Sequence, residues 1–550
     1  MIMDKDKNFS EWYNWIIREA GIIDDRYPVK GCPVYKPYGF ILFREIMRYL
    51  EKKLEENEYL PSWFPIFIPE EIMKKETEHI LGFEKETLYI LDENRKLYIR
   101  PTSETEMYYM ISLWVQAYTD LPLRLYMTNT VYRSETKATK PLIRGVEILW
   151  NEAHGTFKDI DQARRDIEIS MRIYSDVYNY IHLPHFWVRR PEWDKFPGAE
   201  ETYAADTIMP DGRFLQIGTT HLLGRKFSRV FNIKFHDKHP FIKVDYNTFE
   251  AYSKDGSIKF LIEINKNIII IKKFEKGEQK DIVEVITDKE FRDISEDNEE
   301  LIKILLETFN KYFSDVQLSY EKNAWQISFG LSMRTLGALL SILGDNNGLI
   351  LPFKIAPIQI VIIPIYYSEE EKRDVVEYAK LIYERIKDKY RVKLDLDDSK
   401  TPGWKFNYYE LIGVPIRIEI GLKEYEKGLV TVAIRNRNER SIRKTLKVDE
   451  LEENLSIIIQ QYESLLENYA RNYLSNKIKK VNNLDEFENS ISNGYAVKAP
   501  FCMREECAKN IKERYQVDVR GTDINPEPAT GKCIFCNNEA KYYVYIGRSY

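Results

Sequence analysis

Three arginines stand where they could bind phosphate. Arg133 and Arg144 flank a basic loop that joins two apolar, strand-like segments, and Arg334 begins an apolar helical segment. A guanidinium group can grip phosphoryl oxygens through two parallel hydrogen bonds, whereas a buried cation without a partner is costly. The pattern predicts a nucleotide-phosphate site, although surface salt bridges across a hairpin, or a structural carboxylate beside Arg334, would explain the same residues.

A second group of side chains predicts a pocket for a small organic cation. Trp150, Glu152 and His154 alternate along the chain, so all three face one side of a strand. An aromatic wall beside a carboxylate and an imidazole suits a cation with an apolar body. The stretch RPTSET adds the Thr102 hydroxyl and the Glu104 carboxylate in a turn, although capping of the next helix explains that turn equally well.

Four of the five cysteines lie close together near the C-terminus. Cys502 and Cys507 form one pair, and Cys533 and Cys536 form a second. Four thiolates close a tetrahedral zinc site without an open position, which is typical of structural zinc. The spacing therefore predicts structural Zn²⁺, with unliganded thiols, or ligands kept without bound metal, as the alternative.

The composition predicts a globular, multidomain protein. Of its residues, 44% are hydrophobic and 31% are charged, as in globular proteins. The length of 550 residues is more than a single hydrophobic core supports, so several domains are expected. Its apolar runs are short and interrupted by proline, so no membrane span is expected. The first residues include acids and lack an apolar signal segment, which predicts a cytoplasmic location. The net charge of −6 neither requires nor excludes a polyanionic partner.

The elements that position these side chains fall into four predicted units. Residues 1–355 alternate helical and strand patterns, with an atypical, lysine- and acid-rich insertion at about 237–322. Residues 356–450 follow a strand, helix, strand, strand pattern, which indicates a compact α/β unit. A helical linker over 451–482 then leads to a small unit over 483–550.

Longer motifs occur in a fixed order along the chain. They are KGCPVYKPYGF at residues 30–40, RPTSE, YRSET through EILWNEAH, RPEWDKFPGA, QIGTTH, GLSMR and the final YYVYIGRSY. Together they resemble class II aminoacyl-tRNA synthetases, and within that class the prolyl-tRNA synthetases of the archaeal and eukaryotic type. The first motif resembles motif 1, the third motif 2, and GLSMR motif 3. The resemblance covers residues 9–235 and resumes from about 325 to 550.

The resemblance implies a fold and a reaction. The implied fold is a mixed α+β and α/β multidomain protein: a class II antiparallel sheet flanked by helices, an α/β anticodon-binding domain and a small zinc-binding C-terminal domain. The implied enzyme is an ATP-dependent proline–tRNA ligase, which activates L-proline to prolyl-adenylate and transfers it to the 3′ end of tRNA(Pro) in translation. Mg²⁺, structural Zn²⁺ and a homodimer are implied as well.

The same resemblance implies roles for individual side chains. Arg133 and Arg334 would be catalytic, by stabilising charge on the phosphates. The proline-binding residues would be Thr102, Glu104, Arg133, Trp150, Glu152, His154, Phe196 and His221. The ATP-binding residues would be Arg133, Glu135, Arg144, Gln216, Thr219, Ser332 and Arg334. Contacts to tRNA would come from Lys137, Lys140 and Lys405, and the metal ligands would be Cys502, Cys507, Cys533 and Cys536.

The chain departs from the family pattern mainly outside these residues. Asp398-Ser399-Lys400 stands where the family's second domain has an Asp-Arg pair, and residues 237–322 exceed the usual connection. These departures leave a non-catalytic tRNA-binding or regulatory paralogue as the alternative, and a ligase for another amino acid as a third reading. The insertion does not resemble the editing domain of bacterial relatives, so no editing within this chain is expected.

Overall fold

The computed structural model describes residues 4–77, 87–92, 95–134 and 138–550. Helices and strands alternate up to residue 236. They are α1 (Phe9–Glu19), β1 (Ile23–Asp24), β2 (Val34–Tyr35), α2 (Pro37–Glu55), β3 (Leu60–Pro61), β4 (Phe67–Pro69), α3 (Glu70–Thr77), β5 (Tyr89–Asp92), β6 (Arg95–Ile99), α4 (Glu104–Trp114), β7 (Leu123–Tyr132), β8 (Glu147–Phe157), α5 (Ile160–Tyr180), β9 (Phe186–Arg189), β10 (Glu201–Ile208), β11 (Phe214–Gly224), α6 (Lys226–Phe231) and β12 (Lys234–His236).

The α2 helix illustrates why these segments are helical. Pro37 occupies its first turn, where a missing backbone N–H costs nothing. Leu42, Ile46, Leu50 and Leu54 recur every four residues and are all buried, so one face of α2 packs into the main core. A four-residue apolar spacing of this kind is typical of an amphipathic helix.

An antiparallel sheet carries the site. Two further elements complete this part of the chain, β19 (Trp325–Ser332) and α8 (Arg334–Leu343). The strand order β10-β11-β19-β8-β7 is antiparallel throughout, and every residue of β19 is buried because helices and neighbouring strands cover it. Helices α5 and α8 pack against this sheet. The antiparallel sheet flanked by helices is thus confirmed.

Residues 237–322 form a module with its own core. Its elements are β13 (Ile242–Asp245), β14 (Thr248–Tyr252), β15 (Ile258–Asn265), β16 (Ile268–Glu275), β17 (Glu278–Ile286), α7 (Glu299–Tyr312) and, at its exit, β18 (Glu321–Asn323). The strands β13 to β17 pair in sequence order as an antiparallel sheet. Phe260, Ile262 and Ile271 from one face of this sheet pack with Phe309 of α7.

Two paired strands and a cluster of charged side chains help to join this module to the main sheet. We use the word neck for β12 and β18 together with Asp237, His239, Glu296 and Lys322. The fully buried Lys322 ammonium lies 2.5 Å from Asp237 and 2.9 Å from Glu296, and His239 Nε2 lies 3.2 Å from the Glu296 carbonyl oxygen. The two carboxylates and the imidazole are close enough to hold a metal ion, but the Lys322 ammonium already forms salt bridges with both carboxylates.

The second unit is an α/β domain. Its elements are β20 (Ile360–Pro364), α9 (Glu369–Ile386), β21 (Val392–Leu394), α10 (Pro402–Leu411), β22 (Ile416–Ile420), α11 (Leu422–Lys427), β23 (Leu429–Ile434) and β24 (Ile442–Lys447). The sheet order is β21-β20-β22-β23-β24, parallel around β20 and antiparallel beyond β22. Ser368 caps α9, because its hydroxyl accepts a hydrogen bond from the Glu371 amide.

The C-terminal unit is joined to the main sheet. Its elements are α12 (Leu451–Tyr473), β25 (Ile478–Lys480), α13 (Leu484–Ser492), β26 (Ala496–Phe501), α14 (Glu505–Tyr515), β27 (Asp518–Asp523) and β28 (Tyr542–Gly547). Strand β27 pairs with β28 on one side and with β9 on the other, so the two sheets are continuous.

The predicted helical linker over 451–482 is wrong at its end. The helix α12 stops at Tyr473, and Ile478–Lys480 forms strand β25 instead. This segment pairs in parallel with β26, so tertiary pairing overrides the weak local preference of a lysine-rich stretch.

No helix in the described ranges combines the length and the apolar character needed to cross a membrane.

Candidate active site

One cavity of about 640 Å³ opens above the central sheet, between β8, β11, β19 and the start of α8. The sequence-predicted residues that line it are Thr102, Glu104, Arg133, Arg144, Trp150, Glu152, His154, Phe196, Gln216, Thr219, His221, Ser332 and Arg334. Residues more than 200 positions apart in sequence therefore meet in one space. Glu135 and Lys137 were also predicted as site residues, and both lie outside the described residues.

We call one part of the cavity the carboxylate end, which is built on Thr102, Glu104, Trp150, Glu152 and His154. Strand β8 brings the last three to the cavity by its alternation, as predicted. In the register of β8 with β19, Trp150 lies opposite Ser332 and Glu152 opposite Gly330.

Trp150 needs the glycine at position 330. A Cβ atom at Gly330 would lie 2.8 Å from two atoms of the Trp150 ring, which is closer than side chains pack. The glycine of GLSMR thus makes room for the aromatic wall of the carboxylate end.

The turn before α4 serves the cavity rather than the helix end. The helix begins at Glu104, with Ser103 as its N-cap residue, but the Ser103 side chain makes no capping bond. Its hydroxyl instead donates to Glu152 Oε1 at 2.5 Å, and its amide donates to Glu152 Oε2 at 3.2 Å. The Thr102 hydroxyl donates to Glu104, which is only 3% exposed. The capping explanation of RPTSET is therefore wrong for Pro101 and Thr102.

Hydrogen bonds keep the Glu152 side chain ionised. Burial raises the pKa of Glu152, but hydrogen bonds from His154, Ser103 and Asn129 outweigh burial and leave that pKa below its usual value. His154 Nδ1 lies 3.0 Å from the Tyr108 hydroxyl on its other side. Glu152 is thus a carboxylate at neutral pH, held by groups from three elements.

His221 is neutral at physiological pH. Burial, with His154 and Arg190 nearby, lowers the pKa of His221 to about 3. Its Nδ1 atom lies 3.1 Å from the Thr202 hydroxyl, and its ring stacks on Phe196 at 4.6 Å between centroids. His221 and Phe196 therefore form an apolar wall beside the carboxylate end.

The opposite part of the cavity, the arginine end, is built on Arg133, Arg144, Gln216, Ser332 and Arg334. The Arg334 Nε donates to the Ile143 carbonyl oxygen at 2.8 Å, which aims the guanidinium at the cavity. Desolvation and the neighbouring Arg133 and Arg144 lower the pKa of Arg334 to about 10. Arg334 is still a cation at neutral pH.

Within the described part of the chain, Arg133, Arg144 and Arg334 form no salt bridge with a carboxylate. Arg133 is held by the Pro101 carbonyl oxygen at 3.3 Å and lies 5.6 Å from the Trp150 ring centroid. Cations that converge without a counter-charge favour a polyanionic ligand.

Two lysines predicted to contact tRNA are engaged inside the protein. The Lys140 ammonium lies among the rings of Phe9, Tyr13 and Tyr550, at 4.9–5.0 Å from each centroid. Lys405 is only 4% exposed and is ion-paired with Asp395 at 3.1 Å. Neither ammonium is displayed freely to solvent, so their tRNA-binding roles gain no support from this geometry.

The four cysteines come together as the spacing predicts. The Sγ atoms all lie within 4.8 Å of one another, with Cys507 and Cys533 separated by 3.9 Å and Cys502 and Cys536 by 3.5 Å. Tetrahedral zinc with Zn–S bonds of about 2.3 Å places sulfur atoms about 3.8 Å apart. The donor set fits zinc.

An ionic cluster beside the arginine end was not predicted from the sequence. Asp206, which is fully buried, accepts hydrogen bonds from Arg190 at 2.9 Å and from both Nε and Nη2 of Arg520 at 3.1 Å. Asp206 gave only a weak signal, because it is a charged residue between Ala205 and Thr207 in a strand of mixed composition. Arg520 gave none, since it lies 314 residues further along the chain.

Family profiles match three parts of the chain. The profile of the tRNA synthetase class II core domain (G, H, P, S and T) matches residues 83–253, and that of the anticodon binding domain matches residues 359–456. The profile of the prolyl-tRNA synthetase C-terminal domain matches residues 484–550.

Relatives match over the whole length. The chain is 49% identical to the proline–tRNA ligase of Nanoarchaeum equitans, with 100% of both chains covered, and 37% identical to that of Thermofilum pendens, with 100% and 98% covered. Its structure is similar to Giardia lamblia prolyl-tRNA synthetase in complex with prolyl-adenylate, with a TM-score of 0.81, 29% identity and 100% of both chains covered. Cryptosporidium parvum prolyl-tRNA synthetase complexed with L-proline and AMP gives a TM-score of 0.78 at 25% identity, with 100% and 99% covered. The chain belongs to the proline–tRNA ligase family of class II aminoacyl-tRNA synthetases.

Proposed function

We propose that this chain activates L-proline with ATP to form prolyl-adenylate and then transfers the prolyl group to the 3′ end of tRNA(Pro). The observation that carries the proposal is the continuity of the carboxylate end and the arginine end within one cavity. An amino acid and a nucleotide bound at the two ends would meet between them. The Giardia lamblia relative is in complex with prolyl-adenylate, and the Cryptosporidium parvum relative is complexed with L-proline and AMP.

The carboxylate end suits free proline. Proline carries a secondary ammonium, a carboxylate and an apolar ring. In our proposal Glu104 and the Thr102 hydroxyl accept hydrogen bonds from the ammonium, while Trp150, Phe196 and His221 enclose the ring. The neutral state of His221 supports this role, because a second cation beside the ammonium would repel it. Glu152 and His154 complete the wall and hold each other and Ser103 in place.

The arginine end suits the triphosphate. Arg133 would hold both the proline carboxylate and the α-phosphate, since it lies 5.6 Å from the Trp150 ring centroid and close enough to Arg334 to lower the pKa of that residue. A carboxylate oxygen of proline then attacks the α-phosphorus, the bond to the β-phosphate oxygen breaks, and pyrophosphate leaves. Alignment of this kind is worth roughly 7–11 kcal/mol. Arg334 and Arg144 stabilise charge that develops on the phosphate oxygens, and no side-chain nucleophile takes part.

ATP would be oriented by the remaining residues of this end. Gln216, Thr219 and Ser332 offer amide and hydroxyl groups to the nucleotide, and the predicted role of Glu135 stays part of the proposal. Mg²⁺ would enter with ATP and be held chiefly by phosphate oxygens, as is usual for this ion. In the second half-reaction a terminal ribose hydroxyl of tRNA attacks the prolyl carbonyl carbon, and AMP leaves.

For tRNA recognition we propose a surface on the second domain. Trp404 is 47% exposed and stacks on Tyr408 at 5.0 Å between centroids, with the Lys400 ammonium 5.1 Å from the Trp404 ring. Exposed stacked rings beside a cation suit unpaired bases. Trp404→Ala should raise the KM for tRNA in aminoacylation and leave proline-dependent pyrophosphate exchange unchanged; an unchanged KM for tRNA would exclude this surface.

Structural zinc, a homodimer and a cytoplasmic location complete the proposal. Zinc rests on the cysteine geometry, and metal analysis of the purified chain should find one Zn²⁺ per chain. The homodimer is supported by exposed apolar side chains near β3 and β5, including Leu60 at 59%, Trp63 at 74% and Leu91 at 74%. Light scattering should give twice the chain mass, and Trp63→Asp should shift it toward the monomer. The cytoplasm is where translation would use the product.

Pyrophosphate exchange with each amino acid in turn tests the central proposal. Exchange that depends on proline supports it. Silence with every amino acid would favour the non-catalytic paralogue. The three arginines of the cavity argue against that alternative, because a protein that only binds RNA needs no cationic site inside a cavity. Exchange with another amino acid would overturn the proline assignment.

A further inference from the structure

The ionic cluster formed by Arg190, Asp206 and Arg520 connects the C-terminal unit to the arginine end. Arg520 lies on β27, whose neighbouring residue Thr522 pairs with Arg189 of β9. Between them, Gly521 has a φ of +127°, and a Cβ atom there would lie 2.1 Å from the Arg189 carbonyl oxygen. Only glycine lets the two backbones approach this closely. The approach carries the Arg520 side chain, 11% exposed, into the wall of the cavity.

The cluster is organised around one carboxylate. Asp206 receives two hydrogen bonds from Arg520 and one from Arg190, so the two guanidinium groups share a single fully buried anion. The Arg190 Nη1 also donates to the Arg520 carbonyl oxygen at 2.8 Å. If one of the two arginines were removed, the remaining guanidinium would be the only cation of the cluster that compensates Asp206. Asp206 would then attract that guanidinium more strongly, because a buried charge needs full compensation.

Arg190 has a second task that reaches the substrate site. Its Nη2 atom, which bonds Asp206, also donates to Gln216 Oε1 at 2.9 Å. This bond fixes the Gln216 amide so that its Nε2 group is the one left to donate to a ligand. Gln216 lies opposite Asp206 in the pairing of β10 with β11, next to an irregularity in that register.

We propose that Arg520 is a positioning residue for ATP. It saturates Asp206, and this leaves Arg190 able to hold Gln216 in the orientation that binds the nucleotide. The C-terminal unit thereby takes part in the first half-reaction, although it lies outside the class II core. This inference rests on the proposed function of the cavity.

The test uses the full-length chain and proline-dependent pyrophosphate exchange. Wild-type exchange is measured first, and its absence would count against the proposed function rather than against Arg520. With wild-type activity established, Arg520→Gln should raise the KM for ATP about tenfold, as expected for the loss of charge-assisted hydrogen bonds, with less than a twofold change in the KM for proline. Arg520→Lys, which keeps the charge but not the fork, should recover part of the loss.

Controls separate positioning from simple destabilisation. Arg514→Gln removes an exposed arginine of α14 that pairs only peripherally with Glu488, and it should leave both KM values unchanged. If Arg520→Gln impairs folding, the Arg520→Lys chain carries the test, and it should still show the selective rise for ATP. Equal rises in both KM values, or an unchanged KM for ATP in a folded Arg520 variant, would overturn the proposal.

Discussion

The two ends of the cavity are organised in opposite ways. At the carboxylate end each charged group already has protein partners: Glu152 accepts from Ser103 and Asn129, and Glu104 accepts from Thr102. At the arginine end the cations meet one another and backbone carbonyl groups. One end is arranged by the fold itself, whereas at the other end the cations have no carboxylate partner among the described residues and suit a polyanionic ligand. Substitutions should therefore affect stability and activity differently at the two ends.

The largest expected effect is at the arginine end. Arg334→Gln should lower kcat of proline-dependent pyrophosphate exchange about 10³-fold, because it removes a cation that stabilises developing phosphate charge. The same change should not lower the melting temperature, since the fold already disfavours charge at this position. Exchange kinetics and thermal melting check both parts.

A clear loss of thermal stability in the Arg334 variant would contradict the contrast between the two ends. Arg229→Gln, at an exposed position on α6, is the matched control and should change neither quantity.

The second effect is at the carboxylate end. Glu104→Ala should lower kcat/KM for proline about 100-fold, because it removes a charge-assisted hydrogen bond to the ammonium, and it should leave the KM for ATP nearly unchanged. Exchange assays at varied proline and varied ATP give both values. Glu192→Ala, which removes an exposed carboxylate near the rim, serves as the control. Unchanged proline kinetics would remove Glu104 from the site.

The third effect concerns pH. The folded-state pKa of His221, about 3, lies below the ordinary value of 6.5, so the stability it contributes is present above pH 6.5 and lost as pH falls toward 3. Between pH 7 and pH 5 the loss reaches up to about 2 kcal/mol. Urea unfolding of wild type and His221→Gln across this range should show a flatter dependence in the variant. The exposed His236→Gln control should keep the wild-type slope.

The smallest effect refines the geometry of the aromatic wall. Gly330→Ala should displace the Trp150 ring and raise the KM for proline about fivefold, a cost typical of an added methyl group in a packed site. The KM for ATP should change less than twofold. A larger effect on ATP than on proline would show that Gly330 serves the arginine end instead.

Local pattern predicted much of this site. The alternation of Trp150, Glu152 and His154 needs only the period of a strand, and the helix start at Arg334 follows from apolar spacing. The class II sheet and the second domain follow from motif order and are confirmed. The relative positions of side chains within one element can thus be predicted from the sequence, because helix or strand geometry sets them.

Contacts between elements that are far apart in the chain could not be predicted from the sequence. The ion pair between Arg520 and Asp206 forms because strand β27 pairs with β9. Likewise, the segment of β25 becomes a strand because it pairs with β26. The burial of Lys405 depends on Asp395 from a neighbouring segment. In each case the local sequence is compatible with other arrangements, and a tertiary contact decides among them.

The neck of the inserted module has a consequence for how the chain tolerates change. The chain leaves the main sheet through β12 and returns through β18, where Lys234 pairs with Asn323, so the two ends of an 86-residue excursion are already neighbours. The entropic cost of closing a loop grows only slowly with its length, so a change in the size of the module changes that cost little. The neck is therefore a position at which evolution or engineering could shorten or exchange the module, or add a tag to it. The strands that carry the catalytic cavity would keep their register.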